Sequence, residues 1–417
     1  MKMNKLTIAI LIAMVLGIVT GQGLRWLTPE LATSFADNIT LLTDIFLRLI
    51  KMIIAPLVFT TLVVGIAKMG DTRTVGRIGI KTLGWFMMAS LLSLTLGLIM
   101  VHLLSPGVGL NLSLPDGTST SGISAGAISL KDFVSHAIPK SVVEAMATNE
   151  ILQIVVFSLF FGLAAAAIGD PAKPVVSVMA SAAEIMLKVT GYVMNFAPLA
   201  VFAAIGAMVA KEGLGILATY GTFMSQFYLA LGTLWLVLIL LGSLFIGRRI
   251  LVLLGLIREP ILLAFSTASS ESAYPKTLQR LEEFGCSKRI ASFVLPMGYS
   301  FNLDGSMMYC TFAVMFIAQA YGIELSIGQQ ITMLLLLMVT SKGMAGVPRA
   351  SLVVIAATLN QFHIPEAGIL LLLGIDHFLD MGRSATNVLG NAIAASVVSK
   401  SEGSLQEEGF EPERSAA

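Results

Sequence analysis

The stretch Asp376-His-Phe-Leu-Asp380-Met-Gly-Arg383-Ser-Ala-Thr-Asn387-Val-Leu-Gly-Asn391 decides how the rest of the chain is read. Counted from Asp376, the polar residues Asp380, Arg383, Asn387 and Asn391 stand at offsets of 4, 7, 11 and 15. At about 100° per residue all five fall within roughly 80° of one another on a helix, so they form one polar stripe. Apolar runs flank it, Gly-Ile-Leu-Leu-Leu-Leu-Gly at 368–374 and Ala-Ile-Ala-Ala-Ser-Val-Val at 392–398, which places two carboxylates and a guanidinium inside a membrane helix. Each such charge costs about 2.5–3.5 kcal/mol at mid-bilayer on insertion scales. A structural ion pair at a helix contact is one explanation, but it does not require two asparagines on the same stripe. A site for a charged solute or ion in the bundle interior accounts for all five.

Composition agrees with a membrane setting. Of 417 residues, 56% are hydrophobic and 12% charged, with a mean hydropathy of +0.87; a soluble domain could not bury so much apolar surface and stay dissolved on so few charges. The net charge of +1 and the lack of interleaved basic and aromatic residues argue against a nucleic-acid partner. Cys286 and Cys310 are too few for a disulfide framework or a metal cluster, and the histidines at 102, 136, 363 and 377 lack ligand spacing. The N-terminal apolar run to about Gly21 is too long for a signal peptide and ends in a poor cleavage site. It reads as the first span.

Apolar windows predict eight spans near 6–27, 40–69, 79–104, 149–168, 174–210, 219–247, 287–321 and 366–399, with kinks expected at Pro56 and Pro198. Lys2, Lys5, the Lys68/Arg73/Arg77/Lys81 group, Arg248–Arg249 and the Lys276/Arg280/Lys288/Arg289 group must share the cytoplasmic side, together with both termini. Residues 105–129, rich in Gly and Ser, fall outside as a loop, 131–149 as an amphipathic piece at the outer interface, and the tail after Lys400 as a disordered polar segment.

Two segments fit the count only as hairpins that enter the membrane and return. The first, about 250–286, has the tip Ser266-Thr-Ala-Ser-Ser-Glu271-Ser-Ala-Tyr-Pro275; the second, about 328–362, has Thr340-Ser-Lys342-Gly-Met-Ala-Gly-Val-Pro348-Arg-Ala-Ser351. Non-helical backbone at membrane depth is tolerated only where protein buries it or water reaches it. Each hairpin precedes a spanning helix with a polar interruption: Gly298-Tyr-Ser-Phe-Asn302-Leu-Asp304-Gly305-Ser306 after the first, the opening stripe after the second. The fold expected is an all-α membrane protein of eight transmembrane helices and two re-entrant hairpins in inverted repeats, converging on a midplane site.

At these residues the sequence resembles the dicarboxylate/amino acid:cation symporter family. Four motifs in order carry the likeness: the serine-rich tip ending Ser-Ala-Tyr-Pro275, Asn302-Leu-Asp304-Gly305-Ser306, Gly343-Met-Ala-Gly-Val-Pro348, and Asp380-Met-Gly-Arg383 with Asn387. The resemblance implies a glutamate-transporter-like elevator fold and a homotrimer in a bacterial inner membrane. Residues 1–78 and 105–218 would form the scaffold with the outer loop, 79–104 and 219–400 the moving transport unit, and 401–417 the tail. It also implies an importer of L-glutamate and L-aspartate, not an enzyme, with no cofactor beyond the coupling ions.

Roles follow residue by residue from that likeness. Arg383 would bind the distal carboxylate of the substrate, for which a planar guanidinium fork is suited. Asp380 would pair with its ammonium, or else merely neutralise Arg383; Asn387 could bind both its main-chain carboxylate and its ammonium. Ser270 and Val347 in the tips, with Ser306, Ser351 and Ser384, would complete the pocket. Asn302, Asp304, the Gly298 carbonyl, Ser300, Asn391 and Ser90 would be the cation ligands, oxygen donors suited to a hard ion, with protons as the dominant coupling ion and only a residual sodium site at Asp304 and Asn302. Asn391 replaces a coordinating Asp of sodium-coupled members, and Phe86 and Ala89 replace a Tyr and a Thr, so sodium binding should be weakened. Glu271 puts an ionisable carboxyl in a membrane-embedded tip, where it either carries a proton or only hydrogen-bonds the tip backbone. Three other functions compete: a C4-dicarboxylate symporter, a passive channel, and an intramembrane hydrolase, which lacks a base with motif support.

Overall fold

The structure is a computed structural model that describes residues 5–67, 72–108, 138–213, 220–341, 350–373 and 375–406. Every regular element among them is a helix. In chain order these are α1 (Lys5–Leu27), α2 (Pro29–Ala67), α3 (Thr72–Leu104), α4 (Val142–Thr148), α5 (Ile151–Ile168), α6 (Lys173–Met194), α7 (Ala197–Glu212), α8 (Gly221–Ile246), α9 (Ile250–Thr267), α10 (Tyr274–Phe284), α11 (Lys288–Phe301), α12 (Asp304–Ala320), α13 (Ile327–Thr340), α14 (Ala350–Gln361) and α15 (Asp376–Ser401), with short 3-10 turns between some of them and one isolated α-helical turn at Leu370–Leu373. Seven helical stretches among the described residues are long and apolar enough to cross a membrane: Ile8–Leu27, Pro29–Ala67, Arg73–Leu104, Ile151–Ile168, Asp170–Met194, Gly221–Thr267 and Lys288–Ala320. The helix expected as the eighth span, α15, is excluded by its own polar stripe, and it is buried along nearly its whole length. Large apolar side chains exposed at helical spacing, such as Ile8, Ile12, Val15 and Val19 on α1 and Ile327, Ile331, Leu335 and Val339 on α13, are surfaces that a soluble protein would not leave to water.

Two helices act as hubs. α2 packs against α1, α5, α6 and α7, whereas α15 packs against α8, α9, α10, α11 and α12, with α3 lying on α12. The two sets meet where α11 touches α2 and α5 and where α9 touches α1 and α7. Close crossing of α1 and α7 depends on Gly17 and Gly21, where an added Cβ would lie 2.9 Å from the Phe202 carbonyl oxygen and 2.5 Å from that of Gly206; small residues let helix backbones approach in this way.

Several expectations shift. The second span begins at Pro29 rather than near 40, and it continues as helix through Pro56. The expected single span 174–210 is two helices broken at Asn195–Phe196, so Pro198 is no mid-helix kink but sits in the first turn of α7, where its missing N–H costs nothing. Of the amphipathic piece at 131–149, the described part is the short α4, capped by Ser141. The loop at 109–137 and the second hairpin tip at 342–349, including Val347, lie outside the described residues. The first residues of the tail pack on the protein: Arg77 and Lys81 on α3 grip Glu402, and Gln406 N–H donates to the Gly285 carbonyl at 3.0 Å.

Candidate functional site

The break between α11 and α12 is the local feature that builds the site. α11 ends at Phe301, Asn302 and Leu303 leave the helical region, and α12 restarts at Asp304. The break is fully buried, with Ser300, Asn302 and Asp304 at 0% exposure, so its backbone and side chains must find partners within the protein. They find them on α15. Asn387 accepts the Gly305 N–H at 2.9 Å and donates to Ser306 Oγ at 3.3 Å. Asn302 Nδ2 donates to Asp304 Oδ2 at 2.9 Å and to Asn391 Oδ1 at 3.1 Å. Gly305 permits this approach, because a Cβ there would lie 2.6 Å from the Arg383 carbonyl oxygen.

Arg383 lies one turn before Asn387 and is 1% exposed. Its Nη2 reaches Asp380 Oδ1 at 3.1 Å and Asp376 Oδ1 at 3.3 Å, and its Cζ stands 4.1 Å from the centroid of the Tyr309 ring. The Nε and Nη1 atoms of the same guanidinium are buried without a hydrogen-bond partner among the described residues. Leaving buried charged donors unpaired is costly, so this half of the guanidinium is open to an acceptor that the described residues do not supply. Ser384 is buried beside it. Further along the helix, the Thr386 hydroxyl accepts from Trp235 Nε1 at 2.8 Å, and one turn before Arg383 the Phe378 carbonyl accepts from Tyr228 Oη at 2.6 Å. These two bonds fix α15 against α8.

The second cluster lies one to two turns further along. Asp304 Oδ1 accepts from Ser93 Oγ at 3.2 Å, and the Phe301 carbonyl accepts from Ser90 Oγ at 3.3 Å. Ser300 Oγ and Asn302 Oδ1 are buried without hydrogen-bond partners among the described residues. Together with the Asp304 carboxylate these oxygens are a donor set for a hard cation. The Gly298 carbonyl, expected among them, accepts the Asn302 N–H at 2.8 Å. Phe86 and Ala89 are fully buried on α3 and bring no side-chain oxygen.

The segment expected as the first hairpin tip, between α9 and α10, reaches the same neighbourhood. α9 ends on Ala268 in the left-handed region at φ +47°, and a 3-10 turn at Glu271–Ala273 leads into α10. Thr267 Oγ1 and Ser272 Oγ lie 2.8 Å apart, and Ser272 Oγ donates to the Ser269 carbonyl at 2.7 Å, so the hydroxyls tie the tip together. Ala273 packs on Val388, next to Asn387, while the Ser270 carbonyl accepts the Ala273 N–H at 3.1 Å. Glu271 faces elsewhere. It lines a small cavity with Ile54 and Val58 of α2, Ile151 of α5, and Tyr274, Pro296 and Tyr299. The structure thus brings Arg383, Asp380, Asn387, Ser306 and Ser384 together, and separately Asn302, Asp304, Asn391, Ser300 and Ser90, but places Glu271 against α2 and α5. Ser351 is buried in the first turn of α14, which packs on α12.

Two residues of these clusters escaped the sequence reading. Tyr309 is one aromatic among many in an apolar helix, and Ser93 is one more hydroxyl on α3; only their places on the faces turned toward α15 and Asp304 distinguish them.

Residues 6–401 match the sodium:dicarboxylate symporter family. The chain belongs to this family. It is 41% identical over 417 residues to the "Proton/sodium-glutamate symport protein" of Bacillus caldotenax, with 97% of both chains covered. It is 40% identical over 412 residues to the "Proton/glutamate-aspartate symporter" of Escherichia coli K12, covering 96% of this chain and 94% of that one. It is also 40% identical over 413 residues to the "C4-dicarboxylate transport protein" of Laribacter hongkongensis, covering 97% and 92%. This family member is therefore a symporter and not an enzyme, and its fold is the all-helical membrane architecture described above.

Proposed function

We propose that this symporter imports the acidic amino acids glutamate and aspartate, with protons as the dominant coupling ion and a residual sodium site at Asp304. The observation that carries the reading is the buried Arg383 guanidinium, with two acids on Nη2 and its Nε and Nη1 donors unpaired among the described residues. A substrate carboxylate would take those donors, its ammonium would pair with Asp380, and Asn387, whose amide retains one N–H and one lone pair, would contact the amino-acid end. Ser270 and Val347 of the tips, with Ser306, Ser351 and Ser384, would close the site. Relatives bearing glutamate and aspartate in their names support this substrate class.

For architecture we propose eight spans and two re-entrant hairpins in inverted repeats, both termini cytoplasmic, in a bacterial inner membrane. The unit around α15 would move as an elevator against the unit around α2 within a homotrimer. The contact pattern of the two hubs supports this division. Glu271 would carry the proton, and its place at the seam between the two units supports that role. Uptake of labelled aspartate into proteoliposomes, driven by a proton gradient in sodium-free buffer, tests the coupling; strict sodium dependence would end it.

One observation favours a second reading, a C4-dicarboxylate symporter: the 40% identical relative of that name. Competition separates the two. If succinate or malate displaces labelled aspartate at equal concentration, Asp380 is not the ammonium partner.

A further inference from the structure

Neither the substrate nor the cation assignment uses Asp376, although it opens the polar stripe. It is 3% exposed, and its Oδ1 takes two donors, the Tyr309 hydroxyl at 3.2 Å and Arg383 Nη2 at 3.3 Å. Tyr309 is fully buried, and its ring lies under the guanidinium. The three side chains close a triangle, hydroxyl to carboxylate, carboxylate to guanidinium, and guanidinium to ring. Tyr309 is in turn held edge-on by Phe227 of α8, with ring centroids 5.5 Å apart. Asp380 shares Nη2 but differs in one respect: its side chain is 32% exposed, against 4% for that of Asp376.

We infer that Asp376 and Tyr309 are positioning residues that hold the Arg383 guanidinium in a fixed plane, while Asp380 is the exchangeable acid that passes from Arg383 to the substrate ammonium. This rests on the reading of Arg383 as the carboxylate receptor. If Asp380 were the sole counter-ion, its departure to the ammonium would leave a buried, unneutralised guanidinium, a strongly unfavourable state. Asp376 removes that obstacle because it stays. The ring adds a second fixed contact, since a desolvated guanidinium over an aromatic face is attracted to it and oriented by it. The consequence is selectivity: the site discriminates by the second carboxylate of the ligand only as well as this triangle holds the fork in place.

The test compares equilibrium binding of L-aspartate and L-asparagine, which differ in that carboxylate's charge, to the purified full-length protein and to Asp376→Asn, Tyr309→Phe and Arg383→Ala. Tyr309→Phe keeps the ring and loses only the bond to Asp376, so it guards against a variant that does not fold. Asp376→Asn and Tyr309→Phe should each cut the preference for aspartate over asparagine by roughly tenfold or more, the scale of a lost hydrogen bond to a charged group. A residue that only supports the fold would weaken both ligands alike and leave the ratio unchanged. That result overturns the inference, as would wild-type aspartate affinity in both variants. If the ratio survives Arg383→Ala, the receptor reading itself fails; if Arg383→Ala abolishes the ratio and the other two variants leave it intact, the inference alone fails.

Discussion

Gly305→Ala tests whether the break between α11 and α12 sets the geometry of the site. A Cβ at 305 would lie 2.6 Å from the Arg383 carbonyl oxygen, 2.8 Å from Arg383 Cα and 2.8 Å from Thr386 Cβ. Non-bonded carbons prefer about 3.5 Å or more, so α12 must retreat from α15 by about 0.7 Å. The neighbours are mostly backbone and cannot swing aside. Overpacking of this kind costs about 1–3 kcal/mol, against a gain of about 0.8–1 kcal/mol from replacing a helical glycine by alanine, so the clash wins. The retreat also lengthens the 2.9 Å bond from Gly305 N–H to Asn387 and exceeds the roughly 0.5 Å within which binding groups must be held. Aspartate affinity, measured by calorimetry on the purified protein, should fall about tenfold or more with a modest drop in melting temperature. Gly84→Ala, where an added Cβ meets nothing within 4 Å, serves as the control. Wild-type affinity in Gly305→Ala would refute the argument, because the two helices would then not need the contact the structure gives them.

Arg383→Ala should lose acidic substrates and admit neutral amino acids, read as uptake of labelled aspartate against serine. Asn387→Ala removes the amide that ties Gly305 and Ser306 to α15 and should impair substrate binding and cation-dependent stabilisation together; loss of only one would show that the two clusters act separately. Glu271→Gln should abolish uptake driven by a proton gradient while sparing exchange of internal for external aspartate, and unchanged gradient-driven uptake would remove Glu271 from the coupling. At the C-terminal end of α15, Arg77 holds the Glu402 carboxyl below its ordinary range, aided by Lys81. Because the folded-state value is depressed, the stability it contributes is present above the usual carboxylate range near 4.5 and is lost as pH falls through the lower folded value. Glu402→Gln should therefore melt below wild type at pH 7, by a margin that high salt shrinks because Arg77 is exposed, and the two curves should converge in strong acid.

Periodicity made the α15 stripe legible, because five polar residues on one helical face inside apolar flanks have no cheap structural explanation. The break at Asn302–Leu303 was legible for a similar reason: Gly298, Asn302, Asp304 and Gly305 cluster where a spanning helix should be apolar. The start of α2 was not. Residues 29–39 look polar in a hydropathy window, yet Ala32 and Ala36 pack on Ala207 and Ala210 of α7, and small residues that hold a helix by close approach carry almost no hydropathy signal. The packed stretch from Glu402 to Gln406 was hidden likewise, since its partners Arg77, Lys81, Arg249 and Gly285 lie far away in sequence. The direction of Glu271 was equally out of reach, because a tip residue can face either the substrate or the wall that the hairpin leans on.

Formal charge explains why such a site should work as a symporter. The charged groups of the α15 stripe and the break are three carboxylates, the buried Asp304 and Asp376 and the partly exposed Asp380, and one buried guanidinium, Arg383. An acidic amino acid adds one further negative charge to a cluster that is already negative. In a low-dielectric interior, repulsion between like charges a few ångströms apart is severe, and burying the loaded unit across a bilayer would be worse. On the proposed reading, the substrate would therefore enter at little cost only with cations, whether a proton on a carboxyl or a metal ion on the Asp304 oxygens. Because the Arg383 and Asp304 clusters share α15 and the start of α12, where Asn387 accepts the Gly305 N–H and donates to Ser306 Oγ, cation and substrate would, on the proposed reading, stabilise one arrangement of the same few residues.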